Sequence, residues 1–193
     1  MNPRVVLAIS GASGSAIGQR IFDLLHSLGA ETHVIVSRAA ERTLAEEIGP
    51  EALGRLRARA DHWHDIDNIG APIASGSFTT AGMIVAPCSI RTLSAIACCN
   101  SDSLLTRAAD VHLKERRPLI LLTRETPLHL GHLRAMLAAT EAGAIVMPPV
   151  PAFYLGPRSV DDIIDQIAHR AVDLLRVFEP TAREWRGPES YAG

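Results

Sequence analysis

The sequence predicts an α/β fold with three layers, in which helices cover both faces of a parallel sheet. The first observation is the segment Arg4–Ile9, a continuous apolar run rich in β-branched residues, which is typical of a strand buried on both faces. The second is the helical pattern that follows at once, with Ile17 and Ile21 among its evenly spaced apolar residues and Gly29 at its end. The third is that short apolar runs and helical patterns then alternate along the chain, as they do in βαβ units.

The remaining elements are predicted from the same patterns. Strands are expected at residues 31–36, 82–87, 118–123 and 143–147. Helices are expected at residues 38–47, 50–60, 88–97, 100–114, 128–142 and 159–177. The segment 61–65 is interpreted as a surface loop or a short strand at the edge of the sheet.

The length of 193 residues and the composition fit one globular domain. We expect that domain at residues 1–178 and a C-terminal tail at residues 179–193, with Trp185 as its large apolar anchor.

The net charge of −2 argues against general nucleic-acid binding, which needs a basic surface. No apolar run is long enough to span a membrane and no signal segment is visible, so we expect a cytoplasmic protein without membrane contact. The three cysteines lack zinc spacing and are expected to be reduced and mostly buried.

A turn of small residues, at residues 11–15, joins the first strand to the first helix. Its N–H groups and the hydroxyls of Ser13 and Ser15 are expected to point toward one spot that suits a phosphate, and Ser13 is expected to cap the helix. An ordinary turn without a ligand explains these residues equally well. The turn lacks the lysine of a Walker motif and the glycine spacing of a dinucleotide fingerprint. Ser37 follows the second strand and is expected to face the same crevice.

Two further strands end in polar or charged residues that are candidates for a binding or catalytic site. Residues 89–92 follow the third long strand at a predicted helix start, which makes a second potential anion site. Beside them, Cys88 is interpreted as a small buried residue rather than a nucleophile, because no histidine is tied to it by spacing. Arg124 and Glu125 follow the next strand. Adjacent charges are costly to bury unless they pair, so we favour a functional role for them over a structural ion pair.

Three clusters resemble metal sites, and each has a more ordinary interpretation. His62 and His64 lie between aspartates, but no third ligand is fixed by spacing. His129 and His132 share one helix face and are interpreted as helix-start residues. The segment 161–165 copies the aspartate-rich signature by which terpene synthases hold magnesium and diphosphate. Acids in the first turn of a capped helix are also stabilised by its dipole, and we favour that interpretation. The sequence therefore predicts no metal site.

Seven ordered blocks of the chain carry a resemblance to a known family. They are Ser10-Gly11-Ala12-Ser13-Gly14, Ala74-Ser75-Gly76-Ser77-Phe78, Pro87-Cys88-Ser89, residues 104–111, residues 113–117, Arg124-Glu125-Thr126-Pro127-Leu128 and residues 148–154. The chain is similar, from residue 5 to about residue 175, to the flavin prenyltransferases of the UbiX family, formerly described as aromatic-acid decarboxylases. The resemblance implies a Rossmann-like or flavodoxin-like sheet and a homo-oligomer, commonly a dodecamer, with sites between subunits.

The resemblance also implies a reaction and its residues. The family joins the dimethylallyl group of dimethylallyl phosphate to reduced FMN without a metal, and the product, prenylated FMN, serves a partner decarboxylase. The residues implied to hold FMN are Gly11, Ala12, Ser13, Ser37, Ser89, Ile90, Arg91, Thr92 and Arg124. The residues implied to hold the phosphate of the donor are Lys114, Tyr154 and Arg170. Glu125 is implied to be the acid–base group beside the flavin, and it completes a catalytic set with those three.

The sequence departs from the family at two positions, and two other functions compete. Ile17 stands where many members have tyrosine, and Arg91 where they have lysine, so the prenyl donor is less closely implied than the fold. An FMN-dependent cysteine decarboxylase usually has a histidine as base in the helix after the first turn, but the first histidine here is His26, at the far end of that helix. A non-catalytic FMN carrier is disfavoured because the four implied catalytic residues are all present.

Overall fold

Six parallel strands form one sheet at the centre of the computed structural model, which describes residues 2–185 and 187. The strands are β1 (Arg4–Ile9), β2 (Glu31–Val36), β3 (His62–His64), β4 (Gly82–Cys88), β5 (Leu119–Thr123) and β6 (Ile145–Val146). The helices are α1 (Ser15–Ser27), α2 (Arg38–Glu47), α3 (Ala52–Arg59), α4 (Ile90–Ala97), α5 (Leu104–Lys114), α6 (Leu130–Glu141) and α7 (Val160–Asp173). Within the described residues, none of these helices has the length and apolar character needed to cross a membrane.

The strands lie in the order β3-β2-β1-β4-β5-β6. The chain runs outward from β1 to β3 and then returns to build the other half of the sheet from β4. In the register, Arg4 of β1 is opposite Glu31 of β2, and Val5 is opposite Gly82 of β4. The reversal between β1 and β4 leaves a crevice at the carboxyl ends of these strands, which is where open α/β sheets bind their ligands.

Helices cover both faces of the sheet, as predicted. Val5, Leu7 and Ile9 of β1 belong to a core that also contains side chains of α1, α2, α3 and α7. Val6 and Ala8 point the other way, into a second core with α4, α5 and α6. All five side chains are fully buried. The apolar run at the start of the chain is therefore a strand buried on both faces.

The starts of several helices differ in detail from the prediction, and α3 and α4 each begin two residues later than predicted. Gly14, with a left-handed φ of 110°, is the N-cap of α1, so the prediction that Ser13 caps this helix is wrong. α5 begins later than residue 100, because Ser103 and Thr106 form a capping box just before and inside its first turn. α6 begins two residues later than predicted, because His129 is its N-cap. The short segment 61–65 contains an edge strand, β3, which is one of the two alternatives that the sequence left open.

The cysteines are less buried than expected. Cys88 is buried at the end of β4, but Cys98 and Cys99 are both exposed. The expectation of buried thiols is therefore wrong for the adjacent pair. α4 ends at Ala97, and Cys99 has a positive φ of 56°, so the chain turns away from the core at this point.

The segment after α7 folds back onto that helix. The N–H groups of Thr181 and Ala182 donate to the Asp173 carboxylate at 2.7 and 2.9 Å. The hydroxyl of Thr181 also lies 2.8 Å from Nδ1 of His169. The start of the predicted tail is thus attached to the domain. Residues 186 and 188–193 lie outside the described residues. The domain boundary at residue 178 stays a prediction.

Candidate functional site

Hydrogen bonds tie three strand ends together at the carboxyl edge of the sheet. Ser10 follows β1, is 1% exposed, and donates its hydroxyl to the carbonyl oxygen of Pro87 in β4 at 3.0 Å. The same hydroxyl accepts the N–H of Ser89 at 2.7 Å. On the other side of β4, the N–H of Arg124 donates to the carbonyl oxygen of Cys88 at 3.0 Å. The ends of β1, β4 and β5 are therefore held in fixed positions around one crevice.

The turn after β1 brings backbone to this crevice without bulky side chains. A Cβ atom at Gly11 would lie 2.3 Å from Cβ of Ala39, so only glycine fits where the turn packs against α2. Gly14 takes a left-handed φ that other residues rarely adopt. Ala12 and Ser13 lie between these two glycines. Three residues that the sequence assigns to FMN, at positions 11–13, thus share one turn at the crevice.

The N–H groups at the start of α1 hold an anion from the same chain, the carboxylate of Glu47. Gly14 and Ser15 donate their N–H groups to Oε2 of Glu47 at 3.0 and 2.7 Å. Burial raises the pKa of Glu47, but hydrogen bonds from the Ser13 hydroxyl and from these two N–H groups outweigh burial and lower it overall. Glu47 lies 33 positions from Gly14, so no local signal in the sequence connects the two residues.

Ser37 and Ser89 are the N-caps of α2 and α4 at the crevice. The Oγ of Ser37 accepts the N–H of Ala40 at 3.2 Å. The Oγ of Ser89 accepts the N–H of Thr92 at 3.3 Å and donates to the hydroxyl of the same residue at 3.1 Å. Both serines lie at strand ends, as the sequence predicted. The first N–H groups of α2 and α4 are directed toward the crevice, which suits an anionic ligand.

Two positions that depart from the family pattern have different environments. Ile17 is 9% exposed and packs in the core beneath the turn. Arg91 is exposed on the first turn of α4, and its guanidinium lies 2.9 Å from the carboxylate of Asp102. Ile90, beside it, is partly buried against the second core. The charge of Arg91 is therefore paired within the chain.

Cys88 is placed as the sequence predicted, beneath the crevice rather than in it. Its side chain is fully buried at the end of β4. Burial raises the pKa of this thiol to about 12. Because the thiolate is the nucleophilic form of cysteine, a neutral buried thiol is a structural residue.

Arg124 and Glu125 are exposed in the single chain. The Oε1 atom of Glu125 accepts the N–H of Thr126 at 3.0 Å. β5 stops at Thr123, so both charges lie outside the sheet, and their functional role stays a prediction. Water must be excluded by a ligand or by another subunit if these charges are to act in a dry site.

A cavity of about 220 Å³ beside α7 brings Tyr154 and Arg170 together. The ring of Tyr154 meets the ring of Trp185 edge-on, with 5.2 Å between centroids. Arg183 also lines this cavity, and the sequence analysis missed it because it lies in the predicted tail. Apolar side chains from the segment after β6 form part of the wall, among them Met147. Two guanidinium groups, a phenol and an apolar wall suit a phosphate ester with a small hydrocarbon group.

Lys114 lies apart from the other predicted site residues of the same chain. It is the last residue of α5, and this helix runs back from the carboxyl edge of the sheet to the start of β5. Lys114 is therefore at the amino edge, where its ammonium group pairs with Glu115. The crevice and Lys114 are thus on opposite edges of the sheet of one chain.

Two of the clusters that resemble metal sites form helix starts, as predicted. His129 is the N-cap of α6, and its ring accepts the N–H of Gly131 at 3.0 Å. The hydroxyl of Ser159 accepts the N–H of Asp162 at 3.1 Å, and the carboxylate of Asp162 accepts the N–H of Ser159 at 3.0 Å. The hydrogen bond from the Arg158 backbone, with that of Ser159, lowers the pKa of Asp162.

One face of α6 exposes large apolar side chains. Leu130, Leu133 and Leu137 are 60%, 48% and 59% exposed, and their spacing places them on the same side of the helix. The segment after β6 adds further exposed apolar side chains, at Val150 and Phe153. Apolar surface of this kind marks contact with another protein chain.

The comparisons with known proteins agree with this geometry. The flavoprotein family model matches residues 1–172. The flavin prenyltransferase UbiX of Thauera aromatica is 50% identical over 186 residues, which are 96% of this chain and 95% of the relative. A crystal structure of AnUbiX (PadA1) with FMN and dimethylallyl pyrophosphate has a TM-score of 0.92 and 44% identity, and the match covers 97% of this chain and 99% of that one.

A second solved structure is a dodecameric FMN-dependent UbiX-like decarboxylase from Escherichia coli O157:H7. It has a TM-score of 0.89 and 40% identity, and the match covers 95% of this chain and all of that one. Family model, sequence relatives and solved structures thus match nearly the whole length of the domain. The chain belongs to the flavoprotein family and, within it, to the UbiX flavin prenyltransferases.

Proposed function

We propose that this protein transfers the dimethylallyl group of dimethylallyl phosphate to reduced FMN, which gives prenylated FMN and releases phosphate. The observation that carries the proposal is the near-complete match to a UbiX structure that holds FMN together with a dimethylallyl donor. The bond between the allyl carbon and the phosphate oxygen breaks, and its electron pair leaves with the phosphate. A bond from the allyl carbon to the flavin replaces it.

The crevice fits the phosphate and the ring system of FMN. The carboxylate of Glu47 occupies the N–H groups of Gly14 and Ser15, so the N–H groups at the starts of α2 and α4 are the ones that suit the phosphate. The close approach at Gly11 leaves the turn without bulky side chains on the crevice side. We assign FMN to the residues that the family resemblance indicates: Gly11, Ala12, Ser13, Ser37, Ser89, Ile90, Arg91, Thr92 and Arg124. Bound reduced FMN supplies an electron-rich ring system to receive the allyl group.

The phosphate of the donor is assigned to Tyr154, Arg170 and Lys114. The guanidinium of Arg170 and the hydroxyl of Tyr154 line one cavity, and both stabilise the negative charge that grows on a departing phosphate. Lys114 lies at the other edge of its own chain, so it reaches such a site only from a neighbouring subunit. The donor site is therefore completed between subunits.

Glu125 is assigned the proton transfers at the flavin. Its carboxylate follows β5 at the crevice, next to Arg124. Closing a ring on the flavin would form two bonds from the prenyl group to ring atoms, and each of these ring atoms would lose a proton. One proton would return to a carbon of the prenyl group, and the other would leave with the phosphate or the solvent. A carboxylate positioned at the crevice can carry out both transfers.

A homo-oligomer and a partner enzyme complete the proposal. The apolar face of α6 and the exposed residues after β6 supply surface for contact between copies of the chain. The dodecameric relative provides the arrangement that we propose here. Prenylated FMN is proposed to pass to a decarboxylase that uses it as cofactor.

The test is an anaerobic incubation of the purified protein with reduced FMN and dimethylallyl phosphate, followed by mass analysis of the flavin. The proposal requires an added five-carbon unit. A parallel incubation with dimethylallyl pyrophosphate measures donor preference. FMN that stays bound but never gains the unit with either donor would contradict the proposal and would favour an FMN carrier.

A further inference from the structure

A glutamate and two histidines lie close together where β2 pairs with the edge strand β3. Glu31 and His33 lie on β2, and His62 lies on β3, where the register places it opposite His33. The Oε1 atom of Glu31 is 3.0 Å from Nε2 of His62 and 3.6 Å from Nε2 of His33. One potential ligand atom from each residue lies within 4.8 Å of the other two. Three potential ligands of the kind that bind transition metals therefore lie close together.

His33 is held with a nitrogen directed at this cluster. The side chain is 2% exposed, and its Nδ1 lies 2.9 Å from Nε2 of His64. Its Nε2 is buried and has no hydrogen-bond partner among the described residues. When Nδ1 carries the proton and donates it to His64, Nε2 has a free lone pair. A hydrogen bond at one ring nitrogen that orients the other toward a metal is the usual arrangement for histidine ligands.

Glu31 is oriented in a similar way. Its Oε2 accepts the Nε–H of Arg4 at 3.1 Å, which leaves Oε1 on the side of the two imidazoles. Arg4 is itself fixed by the ring of Phe78, whose centroid lies 4.7 Å from the guanidinium carbon. The edge of Phe78 packs on the ring of His33, with 5.3 Å between centroids. Two of the three ligands are thus positioned by contacts that are independent of any ion.

We propose that Glu31, His33 and His62 bind one divalent transition metal ion of the zinc class. Ligand atoms around tetrahedral zinc are about 3.3 Å apart, given bonds of about 2.0 Å. The observed separations of 3.0 and 3.6 Å bracket that value. Imidazole and carboxylate are the ligand types that such ions select, and a water molecule completes the fourth position.

The site requires a rotation of one side chain. The rings of His33 and His62 are stacked, with 4.4 Å between centroids and 18° between planes, so their lone pairs do not converge on one point. His62 is the residue that turns, because its side chain is 48% exposed on an edge strand. A metal-free interpretation is a simple hydrogen bond from His62 to Glu31. That interpretation leaves the buried Nε2 of His33 without a hydrogen-bond partner among the described residues, which is unfavourable, whereas a metal ion would use it.

The test is isothermal titration of the full-length protein with Zn²⁺. Cys98 and Cys99 are replaced by serine in all variants, because exposed thiols also bind zinc. The proposal expects one tight site per chain. His62→Ala and Glu31→Gln each lower the affinity by more than about 10-fold, and His64→Ala lowers it by about 10-fold or more through the orientation of His33.

Two histidines outside the cluster provide controls, the exposed His26 and the half-buried His132. His26→Ala and His132→Ala leave the affinity unchanged, and the second control separates this site from the neighbouring rings of His129 and His132. Absence of a one-to-one site in the parent protein would overturn the proposal. Equal affinities in the parent and His62→Ala proteins, or a loss only in His132→Ala, would overturn it as well.

Discussion

The amino and carboxyl edges of the sheet, where the parallel strands begin and end, differ in whether their polar side chains have partners within the chain. At the amino edge, the guanidinium of Arg117 donates to the carbonyl oxygens of Gly76 and Phe78 at 2.6 and 2.9 Å. At the carboxyl edge, Arg124 and Glu125 are exposed and follow the last residue of β5. The chain thus completes its own contacts at one edge and leaves charged groups open at the other.

This difference separates structural from functional side chains. A buried polar group that is fully bonded within the chain contributes to stability and is costly to disturb. An exposed charge at a ligand crevice contributes little to folding and is available to a substrate. Substitutions at the two edges should therefore have opposite effects: loss of stability at the amino edge and loss of activity at the carboxyl edge.

The largest expected effect is at Glu125. Glu125→Gln should lower the rate of prenylated FMN formation by about 100-fold or more, because a positioned acid–base group contributes about 10²–10⁴-fold. The free energy of unfolding should change by less than about 0.5 kcal/mol, because the side chain is exposed. The rate is measured by flavin mass after anaerobic incubation, and stability by urea unfolding.

The control for this substitution is Glu141→Gln, which removes an exposed carboxylate at the end of α6. It should change neither the rate nor the stability. A Glu125→Gln protein that keeps its full rate would remove Glu125 from the proposed mechanism and weaken the distinction between the two edges.

Lys114 is an exception to the division between a structural amino edge and a functional carboxyl edge. It lies at the amino edge of its own chain, yet it is assigned to the donor phosphate. Lys114→Ala should lower the rate by about 100-fold, as expected for loss of a cation that stabilises a leaving phosphate. Mixed oligomers prepared from Lys114→Ala and Glu125→Gln subunits should recover activity, because about a quarter of randomly assembled sites then contain both wild-type residues.

Recovery distinguishes a shared site from a site within one chain. If each site were built from one chain, every site in the mixed oligomer would lack one of the two residues and the activity would stay low. The separately prepared variants, mixed without exchange of subunits, are the control.

The fold was predictable because its signals are local. The run at Arg4–Ile9 and the helix after it are encoded in consecutive residues, and both are confirmed. The positions of Ser37 and Ser89 at strand ends follow from the same pattern, since parallel strands bring their carboxyl ends to one edge. The ordered blocks of the sequence identified the family correctly.

The contacts that were missed are those that join distant segments. Glu47 binds the turn from the end of α2, and no spacing in the sequence connects it with Gly14. The histidines of β3 gain Glu31 and His33 only when β2 and β3 pair. The exposure of Glu125 depends on where the chain leaves the sheet after β5, which no spacing in the sequence reveals.

An effect on stability, at the amino edge, is expected for His112. Its Nδ1 donates to the carbonyl oxygen of Ala108 at 2.7 Å, and its Nε2 accepts from the hydroxyl of Thr80 at 2.9 Å. Burial lowers the pKa of His112 to about 4. The unfolded chain therefore binds more protons between pH 4 and the usual histidine pKa near 6.5, so stability is lost as the pH falls through this range, by roughly 3 kcal/mol at most.

His112→Gln tests this expectation, because an amide can keep both hydrogen bonds but does not titrate. Urea unfolding at a fixed protein concentration, from pH 7 to pH 4, should show a smaller loss of stability in the variant. Part of the pH dependence should remain, because burial also lowers the pKa of His33 to about 4. Identical pH dependence in both proteins would show that His112 binds its proton equally well in the folded and unfolded chains, which would contradict the lowered pKa.

The smallest expected effect is at Glu47. Here the carboxyl edge resembles the amino edge, because a side chain of the same chain accepts the N–H groups of the turn. Glu47→Gln should lower stability by about 1 kcal/mol, as for loss of a helix cap. Since the pKa of Glu47 is lowered in the folded protein, its contribution is present above about pH 4.5 and is lost at lower pH. The matched control is Glu46→Gln, which removes only a solvent-exposed pair with Arg42 at 3.3 Å and should cost less than about 0.5 kcal/mol. Equal losses in the two variants would mean that Glu47 does not stabilise the turn.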